Sequence, residues 1–315
     1  MSIANTKLES VASLQRNGSR TSERFAKILL DHKLSESQFR EFMGLPYSEA
    51  LQAARDAIAG DLEYTFLLTN NDKIFSLPEH ILPRIPDTDE RLKQIYIDRI
   101  FEFYLMKYFH SCSDDEFEKY SNISGLEILD RHLKKNKGIL LLNSHYGPGH
   151  LAQIFLSRLG YPLTTISSRD FYGTIGIENH NISVLQIARN FGAKIVAAGC
   201  SVLKDRKILH MTGEGVSGKS GRKHAFFGKK WHIPNGFAYM IERTGAICVP
   251  VIMNIDAAGK VSMSLKPRIA PNLSIEDRYE RIDRMVTRYV HLLRSAWRED
   301  PANVPPIIIR NYKRL

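Results

Sequence analysis

The stretch from Gly138 to His150, GILLLNSHYGPGH, constrains the fold more than any other part of this chain. Four apolar residues in a row, closed by glycine on one side and by a Gly-Pro-Gly turn on the other, match a strand buried on both faces of an α/β sheet; a buried helix segment shares the pattern. The strand reading runs from Gly138 through Asn143 and empties into a short turn with a histidine at each end. His145 then stands at the carboxyl end of the strand, the edge where ligands bind and catalytic side chains collect in open α/β sheets. This placement predicts a general base at His145, with His150 close enough to influence it.

The rest of the chain supports that setting. From Ser124 onward, helical and strand patterns alternate. GLEILDRHLKKN and HLAQIFLSRLG read as helices on either side of the opening strand, PLTTISS as a strand, NISVLQIARNFG as a helix ending at Gly192, and AKIVAAG as a strand. RKILHM and ICVPVIMNI are further strands, FAYMIERTG is a helix stopped by Gly245, and KVSMSLKP closes the series as an edge strand. Such alternation predicts an α/β class fold, a mixed and mostly parallel sheet covered by helices on both faces. The last helix, Asp277 to Arg298, lines up Ile282, Met285, Val286, Tyr289, Leu293 and Ala296 on one face, which reads as core-facing. Its arginines 281, 284, 288 and 298 fall on the remainder, a pattern that also suits an anionic lipid surface.

Before this domain, residues 1–22 are rich in Ser, Asn and Thr without a sustained period and predict a mobile lead. Residues 23–110 form a helical region and 111–315 the α/β domain. Ser35 to Gln38 is a capping-box pattern, Ser48 begins SEALQAARDAIAG, and Asp87 with Glu90 caps ERLKQIYIDRIFEFYLMKYFH. The aromatic run Phe101, Phe103, Tyr104, Tyr108 and Phe109 reads as packing in preference to an acyl pocket.

Composition narrows the classes. With 315 residues, 43% hydrophobic and 25% charged, the chain is neither disordered nor fibrous. Its three cysteines are widely separated and form no CxxC pair, which signals neither a disulfide framework nor a zinc cluster and fits a reducing cytoplasm. No window approaches 18 uninterrupted apolar residues, so no membrane span is expected. The net charge of +10 predicts an anionic partner: lipid headgroups, an acidic carrier protein or a phosphate-rich cofactor. Nucleic acid is not expected, since zinc-finger spacing, RNP-type aromatic strands and helix-turn-helix pairs are all missing.

Gly213 to Ser220, GEGVSGKS, satisfies the pattern of a phosphate-binding P-loop. A P-loop requires a helix directly after the glycine turn, because the helix N-terminus supplies part of the anion site. The next residues are GRKHAFFGKKWHIPNG, in which Gly221, Gly228 and Pro234 interrupt any helix. A P-loop nucleotide-binding protein is therefore the weaker reading.

His145-Tyr-Gly-Pro-Gly-His150, then Glu214-Gly215, then Val249-Pro250-Val251 lie at strand ends or in a terminal strand. Together with SGLEILDRHLKKNKGILLLNSHYG, HAFFGKKWHIPNGFAYMIERTGAICVPV and REDPANVPPIIIRNYKR, they resemble the glycerolipid acyltransferase superfamily, in its lipid A (lauroyl or myristoyl) branch, over residues 101–315. The resemblance implies a histidine that deprotonates an acceptor hydroxyl and a carboxylate five residues later that holds the imidazole. His145 matches the base, but His150 occupies the acidic position. A neutral His150 can fix the tautomer of His145 without supplying a negative charge; alternatively, Glu178 or Glu214 supplies the carboxylate from another loop.

Glu214-Gly215 resembles the start of the family's E-G-T-R-S loop, with Lys219 and Arg222 in reach of the missing arginine's role as phosphate or headgroup contacts. Arg169, after the PLTTISS strand, falls where the branch often carries a substrate-binding arginine. The implied protein is a cytoplasmic acyltransferase, peripheral on the inner face of the membrane. It takes an acyl-carrier-protein or coenzyme A thioester as co-substrate, with no tightly bound cofactor and no metal. A catalytically weak member that binds lipid or a partner is the alternative, on the evidence of HYGPGH.

Overall fold

The computed structural model describes residues 36–59, 104–167, 181–187, 192–214, 221–256, 258–300 and 303–304. Its strands are β1 (Ser121–Ser124), β2 (Ile139–Asn143), β3 (Leu163–Ser167), β4 (Ile182–Gln186), β5 (Ile208–Thr212), β6 (Lys223–Phe226), β7 (Lys229–His232), β8 (Ile247–Ile255) and β9 (Val261–Leu265). The helices are α1 (Glu36–Phe42), α2 (Tyr47–Ala59), α3 (Asp114–Tyr120), α4 (Leu126–Leu133), α5 (Leu151–Arg158), α6 (Gly192–Lys204), α7 (Gly236–Thr244) and α8 (Arg278–Glu299), with a further helical run at 104–111.

Seven strands form one sheet in the order β1-β9-β8-β2-β5-β3-β4. Every pairing is parallel except β8 with β9. Strands β8, β2, β5, β3 and β4 therefore bring their carboxyl ends to one edge, and β9 and β1 run the other way.

β2 lies at the centre, and residues 139 to 142 are completely buried. Their alternation explains how one short strand serves two cores. Ile139 and Leu141 join Leu129 of α4 and Leu151, Ile154 and Phe155 of α5. Leu140 and Leu142 join Leu203 of α6, Phe237 and Met240 of α7, and Tyr289 and Leu293 of α8. Each such side chain contributes about 1.5–3 kcal/mol by burial, which anchors β2 from both faces of the sheet. Helices thus cover both faces, as the alternating pattern predicts.

Two adjacent assignments are reversed. NISVLQ, expected within a helix, forms β4 beside β3, and Ile182 and Val184 turn the same way into the core. AKIVAAG, expected as a strand, lies inside the thirteen-residue helix α6. A short apolar run does not distinguish the two states; the length gained by continuing through GCSVLK does. Packing follows from the same segment: a Cβ at Gly199 would collide with Met240, so the glycine lets α6 approach α7.

KVSMSLKP was expected at the edge, but β9 is covered by β1, a short polar strand that pairs Ser121 through Ser124 with Val261 through Ser264. α4, α5, α7 and α8 and strands β3, β5 and β8 fall where the patterns place them, whereas α3 and the β6–β7 hairpin had no pattern that announced them. Asp277 caps α8 by accepting from the Tyr279 and Glu280 amides at 2.6 and 3.1 Å. The face of α8 from Ile282 to Ala296 is buried, in agreement with a core-facing helix.

After GEGVSGKS comes the antiparallel hairpin β6–β7 in place of the helix a P-loop needs. α1 and α2 place Phe42, Tyr47, Ala50 and Leu51 in the core that also holds Met253 and Val261. Tyr104, Tyr108 and Phe109 pack there too, among rings at centroid separations such as 4.7 Å for Tyr47 and Tyr108. Phe101, Phe103 and most of the helix expected after Asp87 lie outside the described residues.

Candidate active site

β2 pairs with β8 only as far as the Leu142–Pro250 rung. Pro250 has no amide hydrogen with which to extend the ladder, and β2 turns away into the histidine loop. Several buried bonds then fix that loop. The Asn143 carbonyl accepts from the Gly213 amide and from the Tyr289 hydroxyl, both at 2.9 Å. The Asn143 side-chain amide donates to the Gly149 carbonyl at 2.7 Å and ties off the turn.

The glycines are required by space. Gly147 has φ +62°, and a Cβ there would strike the Met253 carbonyl; a Cβ at Gly149 would strike the Ser144 carbonyl. The Gly147 amide donates to the Asn303 carbonyl at 2.7 Å. Asn303 is itself clamped to Ile255, accepting from its amide at 2.8 Å and donating to its carbonyl at 3.1 Å.

Glu214, two residues beyond β5, is only 6% exposed. One carboxylate oxygen accepts from the Ser144 hydroxyl at 2.5 Å, and the other from the His145 amide at 3.1 Å. The Tyr146 amide donates to the Ser144 oxygen at 3.0 Å. Charge-assisted bonds of this kind are roughly twice as strong as neutral ones, so Glu214 locks the backbone at His145. Burial pushes the Tyr289 phenol well above its usual value, and the Glu214 carboxylate pushes it further. Tyr289 therefore stays a neutral hydrogen-bond donor.

His145 is half-buried at the strand end. His150 occupies the N-cap position of α5 with helical backbone angles, and its side chain makes no capping bond. On the same sheet, His210 of β5 lies beside Leu141 and Thr165, with Nδ1 3.1 Å from the Thr165 hydroxyl. Burial, and secondarily His150, lowers its pKa from 6.5 to about 3.

The fold thus brings His145 and Glu214 to the ends of neighbouring strands, with His150 at the start of α5 in the same loop as His145. Arg222 is placed separately, exposed at the foot of β6 and 3.9 Å from Asp283 of α8. Arg169, Glu178, Gly215 and Lys219 lie outside the described residues. Sequence reasoning did not pick out Ser144, His210, Tyr289 as a polar contact, or Asn303. Of these, only Ser144 carried a signal, a polar residue interposed between a buried strand and the histidine. Among the described residues, no group of three or more His, Cys, Asp or Glu is arranged to hold a metal ion.

Fold and site together define an α/β protein with a histidine at the carboxyl end of its central strand and a buried carboxylate fixed against that histidine's backbone. Residues 89–291 match the family described as bacterial lipid A biosynthesis acyltransferase, and the chain belongs to that family. A comparison with curated proteins finds no match.

Proposed function

We propose that the protein moves a fatty acyl group from an acyl-carrier-protein or coenzyme A thioester to a hydroxyl or amine of a glycolipid or related lipid. His145 is the general base. It takes the proton from the acceptor hydroxyl as that oxygen attacks the thioester carbonyl, and the thiolate leaves. His150 assists by holding the imidazole in one tautomer, and the Glu214 charge beside the His145 backbone favours the imidazolium that forms. Arg169, Gly215, Lys219 and Arg222 are assigned to the substrate rim.

The observation that carries this reading is the position of His145 in a loop locked by Glu214, in a chain of an acyltransferase family. The surplus of positive charge supports approach to an acidic carrier or to an anionic bilayer at the cytoplasmic face. Among the described residues, no helix is long and apolar enough to cross a membrane.

Thiol release from acyl-carrier-protein and coenzyme A thioesters in the presence of lipid acceptors tests the role of the base. His145→Ala is expected to lower the rate by about 10²–10⁴-fold, the usual range for a lost general base. Equal rates in variant and parent would remove His145 from the mechanism.

A further inference from the structure

The helix after the histidine loop holds one residue that packing does not explain. In α5, LAQIFLSR, every residue from Leu151 to Ser157 is buried, and Leu151, Ala152, Ile154, Phe155 and Leu156 join the core. Gln153 is a buried amide among them, and its Oε1 has no hydrogen-bond partner among the described residues. An unpaired buried acceptor is costly, whereas a leucine here would pack without that cost.

Gln153 stands three residues after His150, so the two share one face of the helix, with Cβ atoms about 5–6 Å apart. His150 has helical backbone angles and makes no capping bond, so its ring is not spent on the amides of the first turn. Beneath this turn the sheet is polar. Leu141 packs against Ile154 and Phe155, and His210, in register with Leu141, turns the same way toward α5. Burial first, and then the charge of His150, lowers the His210 pKa, which puts the two rings within electrostatic reach. Nε2 of His210 and Oδ1 of Asn143 are likewise buried without partners among the described residues.

These atoms make a definite demand. Gln153 Oε1 and Asn143 Oδ1 are acceptors and call for an N–H. A neutral imidazole has one N–H and one bare nitrogen, and the hydrogen bond made by one decides the state of the other. With its N–H given to Gln153 Oε1, His150 keeps a bare nitrogen, the form that accepts from the ring N–H of His145. Asn143 is less able to follow the ring, since its amide is tied to the Gly149 carbonyl at 2.7 Å.

We infer that Gln153 is a positioning residue: its side-chain carbonyl accepts the N–H of His150 and fixes the tautomer offered to His145. The inference rests on the proposed part of His150 in acyl transfer for its catalytic meaning, but the tautomer is measured without any reaction.

The test is ring ¹⁵N magnetic resonance of the full chain labelled in histidine, with His150→Ala assigning the signals, beside thiol release from acyl-carrier-protein and coenzyme A thioesters. In the parent, His150 is expected to show one neutral tautomer at about pH 7. Gln153→Met keeps the length and helix preference of the side chain and removes the acceptor. It should give a mixture of His150 tautomers and lower kcat about fivefold at constant KM, the worth of one hydrogen bond. Gln153→Ala repeats the removal if methionine disturbs the packing. Gln153→Glu, with an acceptor at the same reach, should restore the single tautomer. His150 signals that are the same in the parent and the acceptor-free variants, with or without a loss of kcat, would overturn the inference, as would a mixture that Gln153→Glu does not resolve. Tautomer mixing in Gln153→Met, in a protein that releases thiol from no thioester, would leave Gln153 its place and remove the acyl-transfer reading.

Discussion

The resemblance read from the sequence expects an acid at residue 150, and the local geometry makes the consequence of His150 testable. A carboxylate at the N-cap of α5 would lie at the positive end of the helix dipole, where negative charge is favoured. His150→Glu is therefore expected to fold and to raise thiol release severalfold, because an acid stabilises the His145 imidazolium better than a neutral ring. A fall to the level of His145→Ala would mean that His150 has a task no acid can perform. His210 poses a different question. Its folded pKa, about 3, lies below the ordinary 6.5. The unfolded chain therefore gains a proton as pH falls below 6.5 while the native state does not, and the stability present above that value is lost on acidification, by as much as about 1.4 kcal/mol per pH unit. His210→Gln should flatten the decline of the urea midpoint between pH 7 and pH 4; parallel declines in variant and parent would exclude His210 as its source. His145 was legible in the sequence because a turn of Gly-Pro-Gly after a buried run has few alternatives. His210 was not, because a histidine inside RKILHM looks like any strand residue until Thr165 and Leu141 are known to flank it.

Elements were legible where their ends were chemically marked. Asp277 and Gly245 announce a helix start and a helix stop, and both helices lie where expected. β4 and α6 carry no such marks, and their apolar runs were too short for periodicity to decide. β1 escaped notice because four residues, SNIS, contain only one apolar side chain; its strand state comes from pairing with β9, 137 or more residues away in sequence. The contact between the histidine loop and residue 303 is equally nonlocal. Asn303 bonds both backbone groups of Ile255 and accepts from Gly147, so Asn303→Leu removes two buried side-chain hydrogen bonds to Ile255. A loss of about 2–4 kcal/mol in unfolding free energy is expected, together with reduced thiol release, because the loop loses its brace. Full activity in a destabilised variant would show that the brace serves the fold alone.

At the scale of the whole molecule, charge and topology act together. The surplus of ten positive charges includes Lys223 and Lys230 on the β6–β7 hairpin and Arg284 and Arg288 on the outer face of α8, all exposed, and these two elements pack together. Co-sedimentation with vesicles containing anionic phospholipid should be strong at roughly 0.05 M salt and largely lost near 0.5 M, as the screening length shrinks. Equal binding to neutral vesicles would point to apolar insertion in place of charge. The general layout, α/β with helices on both faces, was readable from alternation; the docking of the Tyr146 hydroxyl on the end of α8 was not, since it joins residues 150 or more apart in sequence. The link from Gly147 to Asn303 also has a consequence for biosynthesis. His145, the proposed base, leaves the ribosome first, and the peptide that braces its loop follows more than 150 residues later. A nascent chain arrested before residue 303 would carry His145 without the brace on its loop.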